Sequence, residues 1–357
     1  MVLVPHGATA AVPPVGAPRR FDHVWIIVFE NTDHDAVTSA SMPYFTEQAA
    51  KGLTLSKMFG VGHASLTNYI AMTSGNAPLP KTRADCFSYD CVFEAPADDN
   101  VGSQLQAAGL DWRGYFDGAP GPCPVPPNPG QTDPYVRGYA TRHDPFMYYR
   151  RIVADRAGCE RRVRPYTDFA HDLAAGSVPQ YTLLVPDTCN DAHDGGDKCG
   201  LSTADRWLRT ALEPILASKA YRDGGAVVLT FDEANLADTT NCCGTEPAGG
   251  HIATALLSPR LARPASVDAT PYSHYSLLRT VEENFGLPLL GHAADASTHS
   301  MLSAFATAMP QTSTSTVSTT TVESDKSSGS GPNAGVALIV GSVAAIVAFV
   351  VVRSRKR

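Results

Sequence analysis

The sequence predicts an α/β fold with a central, mostly parallel sheet flanked by helices. Between positions 20 and 309, short apolar runs rich in β-branched residues alternate with amphipathic stretches, a pattern typical of α/β proteins. The hydrophobic fraction of 43% and the charged fraction of 18% are those of a globular protein. No internal repeat is visible, so we expect a single folded domain at residues 20–310.

The individual elements follow from hydrophobic periodicity. Uninterrupted apolar runs predict buried strands, and amphipathic stretches predict the helices between them. The predicted strands are residues 23–29, 112–116, 181–186, 226–231 and 252–258. The predicted helices are residues 42–51, 100–108, 203–218 and 275–285.

The C-terminal region has a different composition. Residues 311–334 are nearly all Ser, Thr and Gly and predict a disordered stalk. Residues 335–352 are uncharged and apolar, which predicts a transmembrane helix, and residues 353–357 form a basic tail typical of the cytoplasmic side. We therefore expect a single-pass membrane protein whose catalytic domain lies outside the cytoplasm, at the cell surface or in a secretory or endosomal lumen.

The N-terminal segment, residues 1–19, is expected to be poorly ordered. It has no basic start and its apolar positions are interrupted by prolines, so it is a poor signal peptide. Two explanations stay open for delivery across a membrane. The true start could lie upstream of Met1, or the chain could be tail-anchored with its bulk in the cytoplasm, which the charge pattern and the cysteines disfavour.

The eight cysteines favour disulfide bonds over free thiols. Their number is even and they cluster locally, and none has the spacing of a structural zinc site. The net charge of −7 is spread thinly, with no basic run before the last five residues. This charge pattern disfavours a nucleic-acid partner and leaves a small molecule or a lipid headgroup.

Acidic and amide side chains follow two predicted buried strands. Glu30 and Asn31 come after the first strand, and Asp232 and Glu233 come after residues 226–231. Open α/β sheets bind ligands at the carboxyl ends of their strands, so these groups are expected to meet there. Three unpaired carboxylates would be costly, and a hard divalent cation would compensate them. The alternative is that each group caps the helix that follows it.

Four segments in order resemble a known family: HVWIIVFEN at 23–31, HASLTNYIAMTSG at 63–75, PDTCNDAHDG at 186–195 and LTFDEAN at 229–235. The chain resembles the phosphoesterase family that contains bacterial phospholipases C and acid phosphatases, within the alkaline phosphatase superfamily. With weaker matches, the resemblance covers nearly all of residues 20–290. It implies a single alkaline-phosphatase-like domain that hydrolyses phosphoric esters.

The resemblance also implies a role for each matching position. Ser65 falls at the position of the superfamily's nucleophile. The implied metal ligands are Glu30, Asn31, Ser65, Asp232 and Glu233. The implied phosphate-binding amides are those of Asn31, Asn68 and Asn190, and His143 and His193 match polar positions of the phosphate pocket. Asp191 and Asp194 would orient these histidines.

The predicted reaction is a two-step transfer through a phosphoseryl intermediate. A metal ion would lower the pKa of the Ser65 hydroxyl, and His143 or His193 would protonate the leaving group, which favours an acidic optimum. The ligand set favours one Mg²⁺, Ca²⁺ or Mn²⁺ ion over two metals. The sequence leaves the oligomeric state open.

Three functions remain open at this stage. The first is an acid-phosphatase-like phosphomonoesterase, and the second is a phospholipase C that acts on phospholipid diesters. The third is a surface binding protein without catalysis. Where many phospholipases C carry an Arg-Ser-Phe-Asp run, this chain has Thr32, Asp33 and His34, which favours the phosphatase.

Overall fold

The computed structural model describes residues 19–76, 78–126, 138–243 and 248–306. The strands are β1 Val24–Phe29, β2 Leu53–Phe59, β3 Trp112–Phe116, β4 Val163–Pro165, β5 Tyr181–Val185, β6 Ala226–Phe231, β7 His251–Leu257, β8 Ser266–Asp268 and β9 Tyr272–Ser273. The α-helices are α1 Pro43–Lys51, α2 Ser65–Ser74, α3 Val101–Ala107, α4 Arg150–Ala154, α5 Arg156–Arg162, α6 Phe169–Ala174, α7 Gly196–Cys199, α8 Leu201–Ala217, α9 Lys219–Arg222 and α10 His274–Phe285.

These strands form one sheet in the order β4-β3-β5-β1-β6-β7-β2-β8, and β9 pairs with β2. β1 lies between β5 and β6 and is parallel to both. β7 is antiparallel to β6 and to β2, whereas the other pairs are parallel. The predicted central, mostly parallel sheet flanked by helices is therefore confirmed.

β1 forms the centre of the hydrophobic core. Every residue of its VWIIVF sequence is buried, because a central parallel strand is covered on both faces. Burial of each large apolar side chain contributes about 1.5–3 kcal/mol relative to exposure. The strand therefore fixes the backbone just before Glu30.

The helices pack in contacting pairs. α1 contacts α8, and α2 contacts α10. The carboxylate of Asp205 on α8 accepts hydrogen bonds from the backbone N–H groups of Tyr44 and Phe45, at 2.9 and 2.8 Å. These N–H groups belong to the first turn of α1 and have no partner within their own helix. One helix thus caps another.

The main predicted elements are present within one or two residues of their predicted bounds. β3 and β6 coincide with the predictions at 112–116 and 226–231, and α8 begins two residues before its prediction. β2 and α2 were not predicted. All ten residues of α2 are buried, including five polar ones, so its sequence lacks the polar face that marks a surface helix.

The predicted membrane location requires correction. In the part of the chain that the structure describes, no helix is long and apolar enough to cross a bilayer. The longest, α8, has 17 residues and carries four charged side chains. The assignment as a single-pass membrane protein is therefore not supported. The predicted segments 311–334, 335–352 and 353–357, and residues 1–18, lie outside the described residues.

All eight cysteines form disulfide bonds, which confirms the predicted oxidised state. The pairs are Cys86–Cys91, Cys123–Cys159, Cys189–Cys199 and Cys242–Cys243. The first of these closes a short loop beside the site described below.

Candidate active site

The polar residues that follow β1 and β6 meet as predicted. Phe29 and Phe231 are partners in the parallel register, so Glu30 and Asp232 emerge side by side. The Asn31 backbone N–H donates to Asp232 Oδ1 at 3.0 Å. Asn31 itself has a left-handed backbone conformation, with φ of 49°, which asparagine tolerates better than most residues.

Ser65 is the first residue of α2 and lies directly above Glu30. Its hydroxyl donates to Glu30 Oε2 at 2.7 Å. Tyr69, one helical turn later, donates to Glu30 Oε1 at 2.6 Å. Residues four positions apart share one face of a helix, so α2 directs both hydroxyls at the same carboxylate. The amino end of a helix also favours negative charge, which suits a phosphoryl group bound at Ser65.

The turn before Ser65 has an unusual conformation. Ala64 has φ of 98°, a region that a residue with a Cβ rarely adopts. Its backbone N–H donates to both carboxylate oxygens of Glu233, at 3.2 and 3.1 Å. Glu233 Oε2 also lies 2.8 Å from His63 Nδ1, and this carboxylate raises the pKa of His63. Glu233 therefore holds the turn that presents the serine.

A close backbone approach supports the same turn. Gly249 precedes β7 and packs against the loop that leads to Ser65. A Cβ at position 249 would lie 2.4 Å from the carbonyl carbon of Gly60 and 2.6 Å from the Gly62 nitrogen. Only glycine allows this contact.

A buried group of possible metal ligands lies below Ser65. His143 Nε2 is 3.4 Å from Glu30 Oε2, and His143 Nδ1 is 3.4 Å from Asp191 Oδ2. The ligand atoms of these three residues lie within 4.8 Å of one another. Asp191 comes from the loop after β5, and its backbone carbonyl accepts a hydrogen bond from the Glu30 N–H at 2.9 Å.

Several polar atoms of this group have no hydrogen-bond partner although they are buried. They are both ring nitrogens of His143, Oδ2 of Asp191 and Oδ2 of Asp232. A buried acceptor without a partner costs about 1–3 kcal/mol, and more when it is charged. Unsatisfied carboxylate oxygens beside a buried imidazole suit a cation that would complete the group.

The electrostatics of these residues lead to the same conclusion. Burial, reinforced by neighbouring carboxylates, raises the pKa of Glu30, Asp191 and Asp232 well above the ordinary carboxyl values. Burial, together with Arg142 and His193, lowers the pKa of His143, so its imidazole is held neutral. A raised carboxyl pKa reflects negative charge without a compensating partner, and a bound divalent cation would supply that compensation. The neutral imidazole of His143 is the form that binds such a cation.

A cavity of about 620 Å³ opens above Ser65. Basic side chains on its wall include Arg83, Arg142 and His193, and Arg142 Nη2 lies 3.0 Å from His193 Nε2. The cavity is lined by Asn31, His63, Ala64, Ser65, Arg83, Asp85, Phe87, Arg142, His193, Glu233, Asn235 and Leu236. Arg83 and Arg142 provide positive charge that suits a phosphate ester, and Asp85 and Glu233 are the acidic residues of the same wall.

Most of the predicted site residues lie together. Glu30, Asn31, Ser65 and Asp232 adjoin one another, and His193 lines the cavity. His143 lies below the serine beside Glu30, where it contacts the acidic group.

Three predicted residues have other contacts. The carboxylate of Glu233 bonds to His63 and Ala64 and lies outside the buried group of ligand atoms. Asn68 accepts from the Val61 N–H at 2.7 Å and donates to the Gly62 carbonyl at 2.7 Å, which stabilises the loop. The Asn190 side chain does not line the cavity, and its amide nitrogen lies 3.4 Å from Asp117 Oδ2. Neither amide lines the cavity.

Sequence reasoning did not assign a role to Arg83, Arg142 or Tyr69, and it gave Asp191 only an orienting role. The spacing of Tyr69 four residues after Ser65 would have revealed it, had the helix been predicted. Arg142 could have been considered because it directly precedes His143, which the sequence had already indicated. Nothing in the sequence indicates that the loop after β5 returns Asp191 to β1.

Comparison with known proteins identifies the family. The profile described as the Phosphoesterase family matches residues 37–288. The chain belongs to the phosphoesterase family. This confirms the family predicted from the four segments.

Individual relatives agree with this assignment. An acid phosphatase of Aspergillus fumigatus is 29% identical over 277 residues, which cover 76% of this chain and 56% of the relative. A phosphatidylinositol-3-phosphatase of Mycobacterium tuberculosis is 28% identical over 292 residues, covering 80% of this chain and 85% of the relative. This phosphoesterase-family chain thus spans little more than half the length of the fungal relative.

A solved structure shows the same fold. A protein of the alkaline phosphatase superfamily from Vibrio parahaemolyticus matches with a TM-score of 0.51 and 12% identity, over 78% of this chain and 72% of that one. At this identity the match concerns the fold alone. It supports the alkaline-phosphatase-like architecture predicted for this member of the phosphoesterase family.

Proposed function

We propose that this protein hydrolyses phosphoric monoesters through a phosphoserine formed on Ser65, with a divalent metal ion as cofactor. One observation carries the proposal: the Ser65 hydroxyl lies at the amino end of α2, at the base of a basic cavity, and donates to Glu30 in a buried group of unsatisfied ligand atoms. The acid phosphatase and phosphatidylinositol-3-phosphatase relatives support a monoester substrate.

The metal would be held by Glu30, His143 and Asp191, with Asp232 beside them. An imidazole in the ligand set favours Mn²⁺ or Zn²⁺ over Ca²⁺, whereas the sequence alone favoured Mg²⁺, Ca²⁺ or Mn²⁺. When bound, such an ion lowers the pKa of a nearby hydroxyl and neutralises charge on a phosphoryl group.

In the first step, the Ser65 oxygen attacks phosphorus and the bond from phosphorus to the ester oxygen breaks. The hydrogen bond to Glu30 Oε2 gives the hydroxyl proton an acceptor. The leaving oxygen takes a proton from His193, the predicted general acid that lines the cavity, after Nε2 of this histidine has released Arg142 and taken up a proton. His143, the other predicted acid, is buried and held neutral, so we assign it to metal binding.

In the second step, water attacks the phosphoserine, and the bond from phosphorus to the Ser65 oxygen breaks. His193 accepts the proton of the attacking water, and the Ser65 oxygen recovers its own. Arg83 and Arg142 provide positive charge for the phosphoryl oxygens in both steps. Positioning and electrostatic stabilisation account for most of the catalysis in phosphoryl transfer.

The test uses the full chain with p-nitrophenyl phosphate as the monoester and bis(p-nitrophenyl) phosphate as the diester. We expect hydrolysis of the monoester to be faster by at least ~100-fold, to stop with chelator and to return with Mn²⁺ or Zn²⁺. Acid quenching during turnover should leave phosphate on Ser65, detectable by mass spectrometry. Faster diester hydrolysis would favour the phospholipase C function, and no hydrolysis of either ester would favour a binding protein.

A further inference from the structure

The active-site cavity has exposed apolar side chains as well as polar ones on its wall. Four large hydrophobic side chains are strongly exposed in the described part of the chain, and two of them line this cavity. They are Phe87, 59% exposed, and Leu236, 74% exposed. Isolated exposed apolar residues are common on protein surfaces. Phe87 and Leu236 are 149 positions apart in sequence, yet both line the same cavity. Packing in the core does not explain their placement, because both side chains are exposed. We call this pair the apolar rim.

Phe87 is held in position by a closed loop. The Cys86–Cys91 disulfide joins the ends of the loop, and Cys86 and Tyr89 are buried on either side of the exposed phenylalanine. The Tyr89 hydroxyl donates to the Met147 carbonyl at 2.5 Å. The loop therefore keeps an aromatic ring at the cavity without burying it in the core.

Leu236 is held by a second turn. The Asn235 backbone N–H donates to Asp33 Oδ1 at 2.8 Å, and the Asn235 side chain accepts from the Ala237 N–H at 3.1 Å. These bonds fix the backbone on both sides of the leucine. Groups that are held in place before binding lose less entropy when a ligand arrives.

The cavity therefore has two chemical zones. Ser65, Arg142 and His193 provide a polar and basic zone that suits a phosphoryl group. The apolar rim lies on the wall of the same cavity. In a phosphoric monoester, the leaving group projects away from the reacting phosphorus. With the phosphoryl group at Ser65, the leaving group would contact the rim.

We propose that the apolar rim selects phosphoric monoesters whose leaving group is itself apolar, such as an aryl group or an acyl-chain lipid. This inference rests on the proposed function, because it assumes that the phosphoryl group binds at Ser65. Burial of such a group against Phe87 and Leu236 removes apolar surface of both partners from water. A small polar leaving group, such as that of glycerol phosphate, gains nothing from the rim.

The test measures binding by calorimetry, so that it requires no turnover. Three soluble, non-hydrolysable probes are compared: methylphosphonate, 1-naphthylmethylphosphonate and the phosphonate analogue of dioctanoyl phosphatidic acid. The variant is Phe87→Ser with Leu236→Ser in the full metal-loaded chain. The matched control is Val267→Ser, because Val267 is also exposed, at 66%, but does not line the cavity. Thermal unfolding verifies that each variant is folded.

We expect the unmodified protein to bind at least one apolar probe about tenfold or more tightly than methylphosphonate. The double variant should lose this preference, while its affinity for methylphosphonate stays within about twofold. The Val267→Ser variant should keep the preference for the apolar probe. Loss for the naphthyl probe alone identifies an aryl leaving group, and loss for the dioctanoyl probe alone identifies a lipid. Equal affinities in the unmodified protein, or a preference retained in the double variant, would overturn the inference. Apolar preference without hydrolysis of either 1-naphthyl phosphate or dioctanoyl phosphatidic acid would instead refute the proposed function.

Discussion

The Ser65 hydroxyl donates a hydrogen bond of 2.7 Å to Oε2 of Glu30, a residue 35 positions earlier in the chain. The contact depends on two separate features, the end of a central strand and the start of a buried helix. It links the proposed nucleophile directly to the proposed metal group.

Replacement of Ser65 by alanine should abolish turnover. We expect hydrolysis of p-nitrophenyl phosphate to fall by at least ~10³-fold, because the Ser65 oxygen forms the proposed covalent intermediate. The control is Ser74→Ala, at the other end of α2, where the buried hydroxyl donates to the Ile70 carbonyl, accepts from Asn76 and does not line the cavity. Its activity should stay within a few-fold. Activity that survives in the Ser65 variant would mean a different nucleophile.

The buried ligand group should set metal affinity. Asp191→Asn and His143→Ala each remove a ligand atom, so we expect ~10-fold or larger losses in affinity for Mn²⁺ or Zn²⁺, measured by metal content after dialysis against defined metal buffers. Asp35→Asn serves as control, because that carboxylate is 96% exposed. Unchanged metal content in both ligand variants would place the ion elsewhere.

Replacement of Glu233 distinguishes a role in positioning the Ala64 turn from a role in metal binding. Its carboxylate bonds to His63 and to the strained turn at Ala64, so Glu233→Gln should lower kcat by ~10-fold or more while the bound metal stays constant. The sequence-based prediction, that Glu233 is a ligand, expects the metal to be lost. Metal analysis and kinetics on the same preparation decide between them.

Glu282 predicts a pH dependence of stability. This buried carboxyl on α10 has a pKa raised well above its ordinary value, mainly by burial. Such a group contributes stability that is fully present below the unfolded pKa, about 4.3, and lost as pH rises through the folded pKa.

Glu282→Gln removes this titration and keeps an acceptor for the Leu290 N–H, which lies 3.1 Å from Oε1. The Tm difference, variant minus unmodified protein, should therefore increase by a few degrees between pH 5 and pH 8. Glu213→Gln, at an exposed ion pair, should show a flat difference. A Tm difference for Glu282→Gln that falls with pH would refute the assignment.

Much of the fold could be predicted because its central strands are continuous apolar runs. β3 and β6 were located to the residue, and the parallel pairing of β1 with β6 follows from their burial on both faces. β2 was missed because its antiparallel pairing depends on distant partners rather than on an uninterrupted apolar run. α2 was missed because it is buried on all sides and has no amphipathic period.

The site could be predicted only in part, for a related reason. Glu30 and Asp232 follow paired strands, so sheet register alone brings them together. The contacts of Glu233, Asn68 and Asn190 depend on how loops fold back, which strand patterns do not encode. The resemblance implied a metal-binding role for Glu233 and phosphate-binding roles for Asn68 and Asn190, but it did not give the partner that each side chain has in the structure.

Most of the groups proposed for catalysis lie beyond the carboxyl ends of β1, β5 and β6 or on α2, and Arg142 and His143 come from the segment between β3 and β4. The opposite edge of the sheet, where these strands begin, contributes none of them. An enzyme attached to a solid support through that opposite edge, for example at Asp22 or Asp111, would keep its cavity open to the surrounding solution. The direction of the strands therefore indicates which side of the molecule should be used for immobilisation.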